Sequence, residues 1–206
     1  MLGDLAALLW APFLMCLVLT GIHAYLGVHV LAREVVFVDI AMAQIAALGA
    51  TAAFLFHHEL DTWQSYFAGL AATLVGALVL ALTRTRRRHV SQEAVIGVVY
   101  AVSSAGAVLL ADRAPHGAEQ VRTLLVGNLL SVRPQEVVEV GALYALVGLV
   151  HWFCRRPFFL ISTDPGTAFE QGWRVRAWDL LFYASFGVVV TSSVRIAGVQ
   201  IGRAHV

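Results

Sequence analysis

Long apolar runs separated by short polar breaks set the pattern of this chain. Residues 5–28, 35–56, 64–82, 94–111, 136–153 and 178–199 each approach the ~20 apolar residues that cross a bilayer core as a helix. The pattern predicts an all-α, polytopic transmembrane bundle of about six full spans. A seventh stretch, VRTLLVGNLLSV at 121–132, is too short to cross and carries Gly127 and Asn128 in its middle. It is expected to be a short re-entrant helix, which a bilayer tolerates only where protein buries its backbone ends. The first run lacks the basic leader and small-residue cleavage site of a secretory signal, so it is expected to be a first span. Small residues four apart, Ala43 with Ala47 and Gly49 with Ala53, predict a close packing face on the second span. No fixed-period repeat or linker divides the chain, which reads as one domain over 1–199.

Composition agrees and narrows the function. Of 206 residues, 59% are hydrophobic and 13% charged, with a mean hydropathy of +0.77, outside the range of soluble domains. The net charge is +1, and the basic residues are spread among loops, which excludes a nucleic-acid surface. All 14 basic residues are arginine. Without lysine there is neither a phosphate-binding P-loop nor Schiff-base chemistry, so any ATP hydrolysis belongs to a separate chain. Cys16 and Cys154 stand far apart in apolar stretches and are read as small buried hydrophobes rather than a zinc or disulfide pair.

Arginine placement predicts orientation. Arg33, the group Arg84, Arg86, Arg87 and Arg88, then Arg155, Arg156, Arg174 and Arg176 fall in alternate loops, which the positive-inside rule assigns to the cytosol. The N-terminus is then external, as are loops 57–63 and 112–120. This parity holds only if the short segment at 121–132 does not cross.

Asp39 is the foremost site candidate. A carboxylate within a membrane span is costly unless it faces a partner or a polar path. Against a place on a path stands the simpler reading that Asp39 snorkels to the cytosolic end or pairs with Arg33, six residues away. Gln44 lies about 140° around the helix from it, on another face. His57, His58, Glu59 and Asp61 gather nitrogen and oxygen donors in an external loop and are candidates to attract a metal ion at the mouth, although a solvated turn has the same composition. His23 and His29 read as helix-end or packing histidines. Glu93 reads as a first-turn acid of the fourth span, with Ser91 as its cap. In STDPGTAFEQGWRVR, from Ser162 to Arg176, Asp164 can cap a short helix, Pro165 suits its first position and Gly172 its exit. This predicts a short cytosolic helix suited to docking a partner.

REVVFVDIAMAQIAALG, SQEAVIGVVYAVSSAGAVLL, LLVGNLLSV and AFEQGWRVRAWDLLFY, taken in order, resemble the zinc and manganese permease family of ABC importers. The resemblance runs over nearly the whole chain. It implies a homodimeric membrane pore, a cytosolic ABC ATPase, a periplasmic or lipid-anchored metal-binding protein, and a location in a bacterial inner membrane. The divalent metal, of the zinc or manganese class, is then cargo moved by alternating access, with no cofactor and no catalytic residue in this chain. The resemblance further implies a translocation path at Asp39 and Gln44, with Asp39 as a metal ligand. It also implies an ATPase-coupling helix in which Ala168, Glu170 and Gly172 face the partner.

Three departures accompany it. The family commonly reads Gly-Asp-x-x-x-His across the second span, whereas Val38-Asp39-Ile40-Ala41-Met42-Ala43-Gln44 places the acid one position earlier and glutamine where histidine stands. A carboxamide is a poorer zinc ligand than imidazole. Asn128 stands where an acid usually follows the glycine. Gln200 to Val206 back-translates as CAG ATC GGA AGA GCA CAC GTC, the start of a common sequencing adapter, and is expected to be a non-native tail replacing further helix. The competing functions are a pore of the same fold for another substrate, an intramembrane enzyme and a membrane scaffold. Neither a Gly-x-Ser-x-Gly elbow nor a His-Glu-x-x-His helix occurs to support the enzyme.

Overall fold

The computed structural model describes residues 2–55, 62–84, 91–113 and 127–198. Among these residues the structure is helical, without strands. The helices are α1 (Leu2–Ala32), α2 (Val38–Leu55), α3 (Trp63–Thr83), α4 (Gln92–Arg113), α5 (Pro134–Phe153), α6 (Arg155–Thr163), α7 (Pro165–Glu170) and α8 (Val175–Ala197), with a 3-10 turn at Leu129–Ser131 before α5.

Helices α1, α3, α4, α5 and α8 are long and apolar enough to cross a membrane. The sixth expected span, α2, has 18 residues, about 27 Å of helix against a hydrocarbon core of about 30 Å. It begins at Val38 because α1 ends in a sharp turn in which Glu34 takes a left-handed φ of 57° and Val35 N–H returns to Val30 O. Its length is offset by its position, because α2 packs against α3, α4 and α8. α8 is the most buried of the long helices. α1 and α5 pack on each other and on α6. Phe13, Val28, Val75, Val102 and Leu146 point outward, as a lipid-facing surface requires.

The predicted small-residue face closes α2 onto α3. A Cβ added at Gly49 would lie 2.5 Å from Ala68 O and 2.7 Å from Ala72 Cβ, and one at Gly69 would lie 3.0 Å from Ala46 O. The absence of side chains there sets the interhelical distance. Cys16 is exposed and Cys154 half-buried. Cys16 therefore faces outward like Phe13 and Leu17 of α1, not inward as its apolar context suggested.

Contacts between helix ends fix the path of the chain. Arg176 Nε donates to Arg84 O, so α8 begins where α3 ends, while Tyr144 with Val189 and His151 with Ser185 set α5 antiparallel to α8. α4 starts beside the end of α3, where Gln92 Nε2 donates to Leu80 O. The end of α4 and the start of α5 therefore lie on the same side of the bundle. Within the expected re-entrant segment, residues 121–126 lie outside the described residues. Asn128 N–H donates to Ile196 O, which docks the following 3-10 turn near the end of α8.

Candidate functional site

The most heavily buried charges gather where α1, α3, α6 and α8 meet. Arg33 follows α1, and its N–H still bonds His29 O, so the guanidinium projects from a fixed helical turn. Its Nη1 donates to Asp179 Oδ1 and its Nε to Ser162 Oγ at 2.9 Å. Arg84, just past α3, forms an ion pair with the other oxygen of Asp179 at 3.4 Å. The Arg33 and Asp179 side chains are wholly buried, and that of Arg84 is 11% exposed. Buried ions are tolerated when paired and hydrogen-bonded. Arg33 also lies 3.9 Å above the Phe182 ring, an attraction that strengthens where water is excluded.

A line of polar groups runs from this junction into the bundle. Ser162 Oγ lies 3.0 Å from His29 Nδ1, His29 Nε2 lies 3.2 Å from Tyr25 Oη, and Tyr25 Oη lies 3.3 Å from His151 Nδ1. His151 Nε2 lies 2.8 Å from Ser185 Oγ. His29, expected to be a packing histidine, is thus a member of a polar chain. His23 behaves as expected, its Nδ1–H donating to Leu19 O within α1. Asp179 was missed because its seven-residue neighbourhood looks like an ordinary helix start. The available signal was an acid between Trp178 and the apolar Leu180, facing two arginines at other span ends.

Asp39 occupies the first turn of α2, half-buried, and takes part in a polar interaction of its own. Arg33 directs its hydrogen bonds to Asp179 and Ser162 instead. Gln44 is half-buried farther along α2. Glu93 stands in the first turn of α4 as expected, and its Oε1 also accepts the Phe37 N–H at 3.0 Å, stabilising the start of α2 from a neighbouring helix. Ser91 does cap α4, accepting from Ala94 N–H. His57, His58, Glu59 and Asp61 lie outside the described residues. Among those described, no three His, Cys, Asp or Glu side chains gather into a metal-binding group. A cavity of about 40 Å³ between α2, α3 and α8, with Ser65, Tyr66, Thr191 and Arg195 on its wall, has room for about two waters.

The predicted short helix is α7. Asp164 caps it, accepting the Thr167 N–H at 3.0 Å and the Thr167 hydroxyl, and these bonds hold its carboxyl below the usual carboxylate range. Pro165 fills the first position, and Gly172 closes the exit with φ 73°. Ala168 is fully buried against Ile161 and Val175, whereas Glu170 and Gly172 are exposed. Glu170 on α7 and Gly172 just past its end therefore face outward, and Ala168 fastens α7 to α6 and α8.

Crossing helices, a lipid-facing exterior and a capped surface helix between α6 and α8 define a multi-pass membrane protein. Residues 6–203 match the model of the ABC 3 transport family. The chain belongs to that family, and so is a permease component of an ABC transporter rather than an enzyme. No curated protein matches its sequence. Its fold is similar to PsaBC from Streptococcus pneumoniae in complex with Fab, at 15% identity and a TM-score of 0.75, covering 99% of this chain and 73% of that one. It is also similar to a structure described as the inward-facing conformation of an ABC transporter of metal-chelate type, at 14% identity and a TM-score of 0.68, covering 96% and 67% respectively.

Proposed function

We propose that this chain is the pore-forming subunit of an importer that carries a divalent metal ion of the zinc or manganese class across a bacterial inner membrane. The observation that carries this reading is the family match over residues 6–203. The ordered resemblance to zinc and manganese permeases supports the cargo class. Two copies form the pore, a cytosolic ATPase drives it, and an external metal-binding protein delivers the ion. The arginine distribution supports a cytosolic position for α6, α7 and Arg33, with the N-terminus outside. Alternating access is driven by the ATPase, and this chain performs no covalent chemistry.

Asp39 and Gln44 line the path, and Glu170 and Gly172 meet the ATPase with Ala168 behind them. The donors His57, His58, Glu59 and Asp61 attract the ion at the outer mouth. In metal-starved cells expressing the whole system, Asp39→Ala abolishes uptake while leaving dimer assembly intact; uptake at the wild-type rate would reject the assignment. Gln44 favours a second reading, a pore of the same fold for another cargo, because a carboxamide is a weak zinc ligand. Competition of uptake by a panel of divalent ions and metal chelates separates the two.

A further inference from the structure

Arg33 can donate hydrogen bonds but cannot accept them, so it fixes the first bond of the polar chain beside it, and the far end of the chain fixes the rest. Its Nε–H donates to Ser162 Oγ, and the Ser162 hydrogen goes to His29 Nδ1 in the direction that the far end imposes. His29 then carries its proton on Nε2 and donates to Tyr25 Oη. Tyr25 donates in turn to His151 Nδ1, and His151 Nε2–H donates to Ser185 Oγ.

The far end sets this direction when each ring carries one proton. Ser185 spends its hydrogen on Phe182 O at 2.8 Å, so it must accept from His151 Nε2–H. With each ring carrying one proton, both histidines are therefore Nε2–H tautomers whose ring nitrogens are all engaged. The chain ends on a backbone carbonyl, which excludes it as a proton route. Its effect is mechanical.

Ser162 is the point where this matters. Only Thr163 and Asp164 separate it from Pro165, the first residue of α7, and its neighbour Ile161 packs with Ala168 of α7 and Val175 of α8. One face of this junction thus holds α7, and the next residue holds α1 through His29, then α5 through His151 and α8 through Ser185. We propose that Arg33, acting through Ser162, is a positioning residue that locks α6 and α7 to α1, α5 and α8, so that displacement of α7 is transmitted into the membrane helices. This rests on the transport reading given above.

The test uses the full chain with its ATPase partner in proteoliposomes, with Zn²⁺ and Mn²⁺ as transported probes. Ser162→Ala is expected to lower the ions moved per ATP hydrolysed by about fivefold, the factor one net hydrogen bond represents, while ATP hydrolysis and assembly persist. Ser162→Thr keeps the hydroxyl and is expected to restore the ratio. An unchanged ratio in Ser162→Ala, or equal loss in both variants, overturns the proposal. In parallel, ¹⁵N NMR of histidine-labelled protein in nanodiscs is expected to show His29 and His151 as Nε2–H tautomers, with the His29 Nδ1 signal moving in Ser162→Ala. An Nδ1–H tautomer at either ring overturns the proposal. A wild-type complex that hydrolyses ATP but moves neither ion rejects the cargo assignment, and the histidine signals then decide the polar chain alone.

Discussion

Deleting the carboxylate of Asp179 leaves two guanidinium groups facing each other where water is almost excluded. Arg33 is wholly buried and Arg84 is 11% exposed, so only Arg84 can turn partly toward solvent. Removing one partner of a buried ion pair costs about 3–5 kcal/mol. The exposure of Arg84 places Asp179→Ala at about 3 kcal/mol, the lower end of that range. On the scale of soluble domains of this size, that is a fall of about 6–12 °C in unfolding temperature. Asp179→Asn keeps an acceptor for Arg33 Nη1 and is expected to lose less. The double variant Arg33→Met, Asp179→Leu removes both mutually paired ions and is expected to recover much of the loss, because apolar replacements of a buried pair are often neutral. Thermal unfolding of the purified protein in detergent reads the full cycle, with an expected coupling of about 1.5 kcal/mol or more. If the two single effects add to within about 0.5 kcal/mol, Arg33 and Asp179 are not coupled and the junction described here is wrong.

Three further outcomes test other parts of the structure. Gly49→Ala places a Cβ 2.5 Å from Ala68 O, and the expected loss of about 1–3 kcal/mol from overpacking exceeds the gain of about 1 kcal/mol from alanine's helix propensity; unchanged thermal stability would contradict the α2–α3 approach. Gly127→Ala combines φ 70° with a Cβ 2.4 Å from the Ala197 carbonyl carbon, so the Asn128 amide should exchange faster with solvent than in the wild type as its bond to Ile196 O opens. At α7, Asp164→Ala should speed amide exchange at Thr167. In the wild-type chain the lowered pKa of Asp164 means that the cap's stabilisation is present above the ordinary carboxylate range and is lost as pH falls through the lower folded value. Loss of Thr167 protection above that range would refute the cap.

The spans were legible because a bilayer leaves helices few alternatives: every backbone polar group must be paired within the segment. Asp164, Pro165 and Gly172 were legible for a similar reason, since capping depends on neighbours within one turn. The boundary at Val38 was not, because the left-handed turn at Glu34 has no glycine to announce it. Nor was the second role of Glu93, whose acceptor oxygen serves Phe37 in the turn before α2. The junction itself depends on separations that no local pattern encodes: Arg33 and Asp179 stand 146 residues apart, and Arg33 and Ser162 stand 129 apart. Periodicity can place each residue at a helix end, but only packing shows that four helix ends share one point. The donors of loop 57–61 carry no such structural information, as they lie outside the described residues.

A six-residue helix has too few internal bonds to persist alone in water. In α7 the missing stability comes from its ends and underside: Asp164 closes the first turn, Gly172 closes the last, and Ala168 is buried beneath. The edge formed by Gly166, Glu170 and Gly172 therefore has its shape before anything touches it. A surface that folds only on contact must surrender about 1–2 kcal/mol of backbone entropy per residue ordered, which weakens and slows association. This edge has surrendered that freedom during folding of the chain itself, so a protein docking there would not have to meet the cost of that backbone ordering again.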